Sequence, residues 1–196
     1  MKPVIGITMG DATGVGPEII VKSLSDKEIY EICRPLIIGD LKIMKRAADI
    51  VSSDFACLPV TDLREAGLTF GRLDVLDLNN LPDDLPFAVI DHRAGKAAYE
   101  YVAKGVELAM AGRLDAIATA PLNKDAMNQG GYHYPGHTEI LAHLSHTKDY
   151  AMMLSGGVLR VIHVSTHVSL RRACDLATKE RVLKVIELAD KAMKLI

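Results

Sequence analysis

The sequence predicts an α/β protein, and three observations carry that prediction. Short apolar, β-branched runs alternate with stretches of helical periodicity along the chain. The opening run, Val4 to Met9, breaks at Gly10 and Asp11, turns through Gly14 and Gly16, and meets Pro17 and Glu18, residue types favoured in a helix's first turn. A second apolar run, Arg34 to Asp40, also ends in Gly-Asp. Strand, glycine-rich loop and helix N-terminus together build pockets for anions or polar ligands, which gather at the carboxyl ends of strands.

Taken in order, the first helix is expected at roughly Pro17 to Leu24, a strand at Arg34 to Asp40 and a helix at Leu41 to Val51. Residues 52 to 90 are punctuated by Pro59, Gly67, Gly71, Pro82 and Pro86, with short strands expected at Leu73 to Leu76 and Phe87 to Ile90. From Gly95 to Ala111, Tyr99, Val102, Val106 and Ala109 or Met110 recur at helical spacing, and Gly112 follows as a stop signal. Asp115 to Ala120 reads as a buried strand, with Pro121-Leu-Asn-Lys124 at its carboxyl end. A loop marked by Gly130-Gly131 and Pro135-Gly136 leads to a helix at Thr138 to Leu144. Tyr150 to Leu154 and Leu159 to Thr166 flank Gly156-Gly157, the cue for a hairpin. Ser169 to Ala173 opens a turn or helix, and Thr178 caps a long final helix. Its apolar face, Val182, Val185, Ile186, Ala189, Met193 and Ile196, runs to the last residue with no Gly cap or polar tail. That ending predicts a sequence cut from a longer chain.

Composition narrows the function classes. With 196 residues the chain can bury a real core, and 49% hydrophobic and 24% charged residues are ordinary for a soluble globular protein. A net charge of −2 gives no basic footprint, so nucleic acid is not expected as a partner. The three cysteines, Cys33, Cys57 and Cys174, are far apart and form no C-x-x-C pair, which suits a reducing cytoplasm. No signal peptide opens the sequence and no apolar run reaches the ~18 residues of a membrane helix, so no membrane association is expected. The common nucleotide motifs are also excluded: Gly10, Gly14 and Gly16 give G-x-x-x-G-x-G rather than G-x-G-x-x-G, and Gly95-Lys96 lacks the rest of a Walker loop. The same glycines also fit a tight turn in which they only let the backbone pass.

The seven histidines, His92, His133, His137, His143, His146, His163 and His167, are the pool of metal ligands and proton carriers. His163 and His167 lie among β-branched neighbours; on a strand, four residues span ~13 Å, so the two rings do not share one ion. No Glu follows His163, which removes the H-E-x-x-H protease reading. In Gly136-His137-Thr138-Glu139, a His and a Thr at a helix start can donate to an anionic ligand, although Thr138 also fits a plain N-cap. Lys124 is a cation in a strand-end loop, suited to a carboxylate or phosphate or to the solvated surface. Asp91, His92 and Arg93 form a charged triplet before a helix, with Arg93 and Lys96 as further candidates for phosphate contact. Asp11 is expected to order the glycine loop by hydrogen bonds.

Four stretches together resemble the 4-hydroxythreonine-4-phosphate dehydrogenase family: Met9-Gly-Asp-Ala-Thr-Gly-Val-Gly-Pro-Glu18, Asp91-His-Arg-Ala-Gly-Lys96, Thr119-Ala-Pro-Leu-Asn-Lys124 with Gly136-His-Thr-Glu139, and Ser165-Thr-His-Val-Ser-Leu170. The likeness runs from Met1 to Ile196 without a large gap. It implies a three-layer α/β/α fold of the isocitrate and isopropylmalate dehydrogenase type, with a first domain at 1–125 and an incomplete second domain at 126–196. It implies NAD and a divalent cation (Zn, Mg, Co or Mn) as cofactors, His167 as a metal ligand, His137 and Thr138 as substrate contacts, and a homodimer. It also implies members that continue past Ile196, with most of the nucleotide site and two further metal-binding histidines beyond it. The implied reaction oxidises and decarboxylates a small 4-phosphorylated hydroxy acid such as 4-hydroxythreonine 4-phosphate. The loop Gly10-Asp-Ala-Thr-Gly14 departs from the Asp-Pro-Ala-Gly-Ile form of the pyridoxine-pathway members, which turns the expectation toward D-threonate or D-erythronate 4-phosphate. Two other classes stand beside it: a phosphate acyltransferase, needing neither NAD nor metal, and a fragment that binds phosphorylated acids without turnover.

Overall fold

A computed structural model describes residues 2–195, and the chain divides into two compact units, Met1–Ser145 and His146–Ile196. In the first unit, β1 (Val4–Thr8), β2 (Arg34–Gly39), β3 (Ala56–Val60), β4 (Arg72–Asp77) and β5 (Ala116–Thr119) form a wholly parallel sheet. The strand order is β3-β4-β2-β1-β5. Its helices are α1 (Gly16–Leu24), α2 (Lys27–Ile32), α3 (Leu41–Ile50), α4 (His92–Met110), α5 (Lys124–Gln129) and α6 (His137–Leu144).

A parallel sheet needs cover on both faces, and alternation along its strands supplies two apolar surfaces. Ile7 and Ala118 line a cleft with Ile19, Ile20 and Leu24 of α1. Their strand neighbours Thr8 and Ile117, with Ile38, pack against α4, all three within 3.5 Å of the place a Cβ would take on Gly105. Helix, sheet, helix: the α/β/α layering that the family resemblance implies is what this unit builds. Leu36, Ile37, Ile38, Leu73 and Val75 are fully buried between the layers. A smaller core of Val102, Val106, Met127 and Ile140 joins α4 to α5 and α6. Residues 126–145, grouped from the sequence with the second domain, therefore pack on α4 of the first unit.

Local chemistry sets the element ends. Aspartates at strand exits and in the loops cap the helices that come next: Asp40 accepts from Lys42 N at 3.1 Å at the start of α3, and Asp91 accepts from Arg93 N at 2.8 Å at the start of α4. The strand β3 is not expected from sequence because Pro59 reads as punctuation, but β3 is the sheet edge, where a proline's missing N–H leaves no ladder bond unmade. Pro35 in β2 is tolerated for a related reason, since pairing with β4 starts only at Ile37. The expected strand at Phe87 to Ile90 does not form. Ala88 takes a left-handed φ of 56° there, and its N–H bonds to Thr13 O at 2.9 Å, so this segment straps the glycine loop instead of joining the sheet.

The second unit holds an antiparallel hairpin, β6 (Met153–Gly156) and β7 (Leu159–Ile162), followed by α7 (Leu170–Leu176) and α8 (Lys179–Met193). The hairpin turns at Gly157, whose φ of 55° is the left-handed conformation such a turn needs. The strand expected to reach Thr166 stops at Ile162, because its partner begins at Met153; His163 keeps one further bond, N–H to Met152 O at 2.9 Å. Thr178 caps α8 as expected, accepting from Arg181 N at 3.2 Å. Arg181 ties that helix to the hairpin region through Val164 O at 2.9 Å and Tyr150 O at 3.0 Å. Of the apolar face expected on α8, Val185 is buried whereas Ile186 and Met193 are exposed, and Ile196 lies outside the described residues.

The tightest helix contact in the first unit tests this packing. A Cβ on Gly95 of α4 would lie 2.0 Å from the carbonyl carbon of Ala126 in α5, whereas one on Gly156 would meet nothing within 4 Å. Gly95→Ala is expected to lower unfolding free energy by about 3 kcal/mol or more in urea titration, and Gly156→Ala by under about 1 kcal/mol. Equal effects would contradict the packing described.

Candidate functional site

The loop after β1 is held shut by its own backbone. Gly10 has a φ of 72°, and a Cβ there would stand 2.3 Å from Pro121 O. A Cβ on Gly16 would stand 2.6 Å from Met9 O. Only Gly14 has ordinary room, with Asp11 as its nearest neighbour at 3.5 Å. Asp11 N donates to Pro121 O at 2.9 Å, tying the exit of β1 to that of β5, where the strand order reverses. Asp11 orders the loop as expected: its buried Oδ1 accepts from Thr13 N at 3.0 Å and lies 2.9 Å from Thr13 Oγ1. The Thr13 hydroxyl also reaches Val89 O at 2.7 Å, so its one proton is shared between two acceptors. Arg46 clamps loop and strap together, donating to Ala12 O at 2.9 Å and Leu85 O at 2.8 Å, with its guanidinium 3.8 Å from the centre of the Phe87 ring. Two of the three glycines thus serve close backbone approach.

The start of α6 is built differently. Gly136 is its N-cap and offers no side-chain cap, so Thr138 is the second helical residue and not the cap. The first backbone N–H groups of such a helix have no intrahelical partner. His137 is half-buried, its Nε2 fully shielded and without a hydrogen-bond partner among the described residues, and the same holds for Glu139 Oε2. Burial pushes the His137 imidazole below its ordinary value of 6.5, so at neutral pH the ring is uncharged and Nε2 donates or accepts according to tautomer. An aromatic stack holds the approach to this helix: Tyr99 of α4 lies 3.7 Å from the ring of Tyr132 and 5.8 Å from that of Tyr134.

The other candidates fall elsewhere. Lys124 is the first residue of α5, behind the cap Asn123, whose side chain accepts from Ala126 N; it makes no ion pair among the described residues. It shares the first unit with His137 and Thr138, on a helix that packs against the same α4. Arg93 is committed to Asp91 through a 2.7 Å bond that holds that carboxyl at about 2, well below the usual range. Lys96 stands 3.7 Å from Glu100, and with Asn80, His92 and Arg93 they line a cleft of about 420 Å³. His167 belongs to the second unit, in the loop before α7 with a φ of 57°, a conformation histidine adopts more readily than most residues. Among the described residues no group of three or more His, Cys, Asp and Glu is arranged to hold a metal ion. His167 belongs to no such group among the described residues. Sequence reasoning missed Arg46, the tyrosine stack and the unpaired oxygen of Glu139; only the Asn123 cap carries a local signal, Asn before a helix.

A three-layer α/β unit with a polar helix start beyond its last strand is a class of scaffold on which small molecules commonly bind. Comparison with known proteins sharpens this. The family described as Pyridoxal phosphate biosynthetic protein PdxA matches residues 31–196, and the chain belongs to that family. It is 50% identical over 193 residues to a protein of Oceanobacillus iheyensis provisionally named D-threonate 4-phosphate dehydrogenase, covering 98% of this chain and 58% of that one. It is 45% identical over 185 residues to the D-threonate 4-phosphate dehydrogenase of Cupriavidus necator, covering 94% of this chain and 56% of the relative. The crystal structure of a 4-hydroxythreonine-4-phosphate dehydrogenase from Burkholderia phymatum superposes with a TM-score of 0.89 at 49% identity, over 95% of this chain and 57% of that one. The chain thus spans less than two thirds of the length of these relatives. Among the described residues no helix is long and apolar enough to cross a membrane.

The depressed His137 value sets a pH dependence. The unfolded chain takes up this proton near 6.5 and the folded chain only below it, so the stability held at His137 is complete above about pH 6.5 and is lost as pH falls through the folded value. The melting temperature of the wild type is expected to fall more between about pH 7.5 and 5 than that of His137→Gln. Parallel slopes would contradict the burial of this ring.

Proposed function

We propose that this chain carries the substrate-binding part of a dehydrogenase that takes a small 4-phosphorylated hydroxy acid, D-threonate 4-phosphate first among them. The observation that carries this reading is the start of α6: a shielded, partnerless imidazole nitrogen of His137 beside the uncapped first turn and the Thr138 hydroxyl. These groups donate hydrogen bonds to an oxygen-rich ligand, and Lys124 adds a cation for its carboxylate or phosphate. The names of the relatives support the substrate class, as does the departure at Gly10-Asp-Ala-Thr-Gly14.

A nicotinamide cofactor, NAD, and a divalent cation belong to the proposal. Bound, they would take up hydride from the secondary alcohol and draw negative charge from its oxygen. His167 is the ligand this chain would offer the cation. The residues of the first unit bind and orient the acid. A homodimer is part of the same reading.

Isothermal titration calorimetry of the 196-residue chain with D-threonate 4-phosphate, with inorganic phosphate as the control, tests the proposal. Saturable binding is expected, weakened about tenfold or more in His137→Ala and less in Lys124→Ala. NADH formation with NAD and Mg, Mn, Co or Zn would extend the result from binding to turnover. No binding, or binding untouched by His137→Ala, would refute it.

A further inference from the structure

Four shielded side-chain polar atoms lack a hydrogen-bond partner among the described residues: Thr8 Oγ1, Glu18 Oε2, His137 Nε2 and Glu139 Oε2. Two of the four stand within three residues at the start of α6. Glu139 is the third residue of that helix, the position from which a Glu usually turns back to bond the N-cap N–H. Its carboxylate does turn back, since a Cβ built on Gly136 would lie 3.6 Å from Oε2, but that oxygen has no hydrogen-bond partner among the described residues. Leaving a shielded carboxylate oxygen unpaired is unfavourable, and native structures keep such groups where a ligand or a catalytic role employs them.

Resting on the site proposed above, we infer that Glu139 is a specificity-determining residue: its Oε2 accepts a hydrogen bond from a hydroxyl or ammonium group on the ligand's carbon chain. Residues two apart on a helix do not share a face, so His137 and Glu139 meet the ligand from different sides of the first turn. Their chemistry is complementary. The neutral imidazole donates or accepts, whereas the carboxylate only accepts and repels anionic groups. Glu139 therefore selects for donors on the chain and against a second anionic group in that place. An acid with the same carboxylate and phosphate but no hydroxyls would lose this contact.

The test separates this role from simple capping. Glu139→Gln keeps the side-chain length and a capping oxygen but loses the charge, and Glu139→Ala removes the acceptor. Calorimetry compares D-threonate 4-phosphate with 4-phosphooxybutanoate, the same chain without its two hydroxyls. The wild type is expected to favour the hydroxylated probe by about tenfold or more, with that preference cut about threefold in Glu139→Gln and further in Glu139→Ala. All three proteins are expected to bind the deoxy probe alike, with the Gln variant melting within about 2 °C of wild type. A wild type that binds both probes equally, or an unchanged preference in Glu139→Ala, overturns the assignment while leaving the site standing. A wild type that binds neither probe overturns the site and this inference with it.

Discussion

The arrangement depends on one close approach, that of Gly10 to Pro121. Two chain segments leave neighbouring parallel strands at the point where the strand order reverses, and both must turn toward helices on their way out. Their backbones touch, with Asp11 N bonded to Pro121 O at 2.9 Å and no room for a side chain at Gly10. The elements on either side are positioned by that contact. On one side, Asp11 and Thr13 fix the turn into α1, and the strap through Ala88 and Val89 is bound down over it. On the other, Pro121 sets the chain toward Asn123, α5 and, beyond the tyrosine stack, α6.

The result is a division of labour between two helix starts that look alike in sequence. Gly14-Val-Gly-Pro-Glu18 and Gly136-His-Thr-Glu139 both place glycine before a helix and Glu in its first turn. The first loop is held largely by its own backbone: its glycines admit backbone and Arg46 commits its donors to Ala12 and Leu85, although Thr8 Oγ1 before it and Glu18 Oε2 after it are shielded without a partner among the described residues. The second leaves an imidazole nitrogen and a carboxylate oxygen shielded and without a partner among the described residues. The two starts therefore differ in how tightly backbone closes over them, and what singles out α6 is an imidazole and a carboxylate so left within three residues. The bed under α6 is close-packed, because Gly95 lets α5 lie backbone to backbone on α4 and Met127 and Ile140 are buried between the helices.

Much of the fold is legible in sequence, and the misses have physical causes. Apolar runs at Val4–Thr8 and Arg34–Gly39, the helical spacing around Val102 and Val106, and the Thr178 cap are local signals that the tertiary structure reinforces. The edge strand at Ala56–Val60 is hidden because an edge tolerates Pro59, and residues 87–90 imitate a strand because their apolar side chains serve a strap that has no ladder partner. At the site, His137 and Thr138 stand out as a pair, but the cap lies two residues before Thr138, since Gly136 itself ends the loop. Arg46 and Glu139 are invisible because each acts across distance in sequence or through a bond it does not make. His167 sits in the second unit, in a loop and not on the strand its neighbours suggest.

Backbone amide chemical shifts, followed by NMR as D-threonate 4-phosphate is added, test the central claim most directly, because they locate the ligand without assuming turnover. The largest changes are expected to centre on Gly136 to Glu139, with smaller ones at Lys124, while residues 10–16 move little. Changes centred on the glycine loop, or on the cleft of Asn80, His92 and Lys96, would contradict the assignment of the ligand to the start of α6.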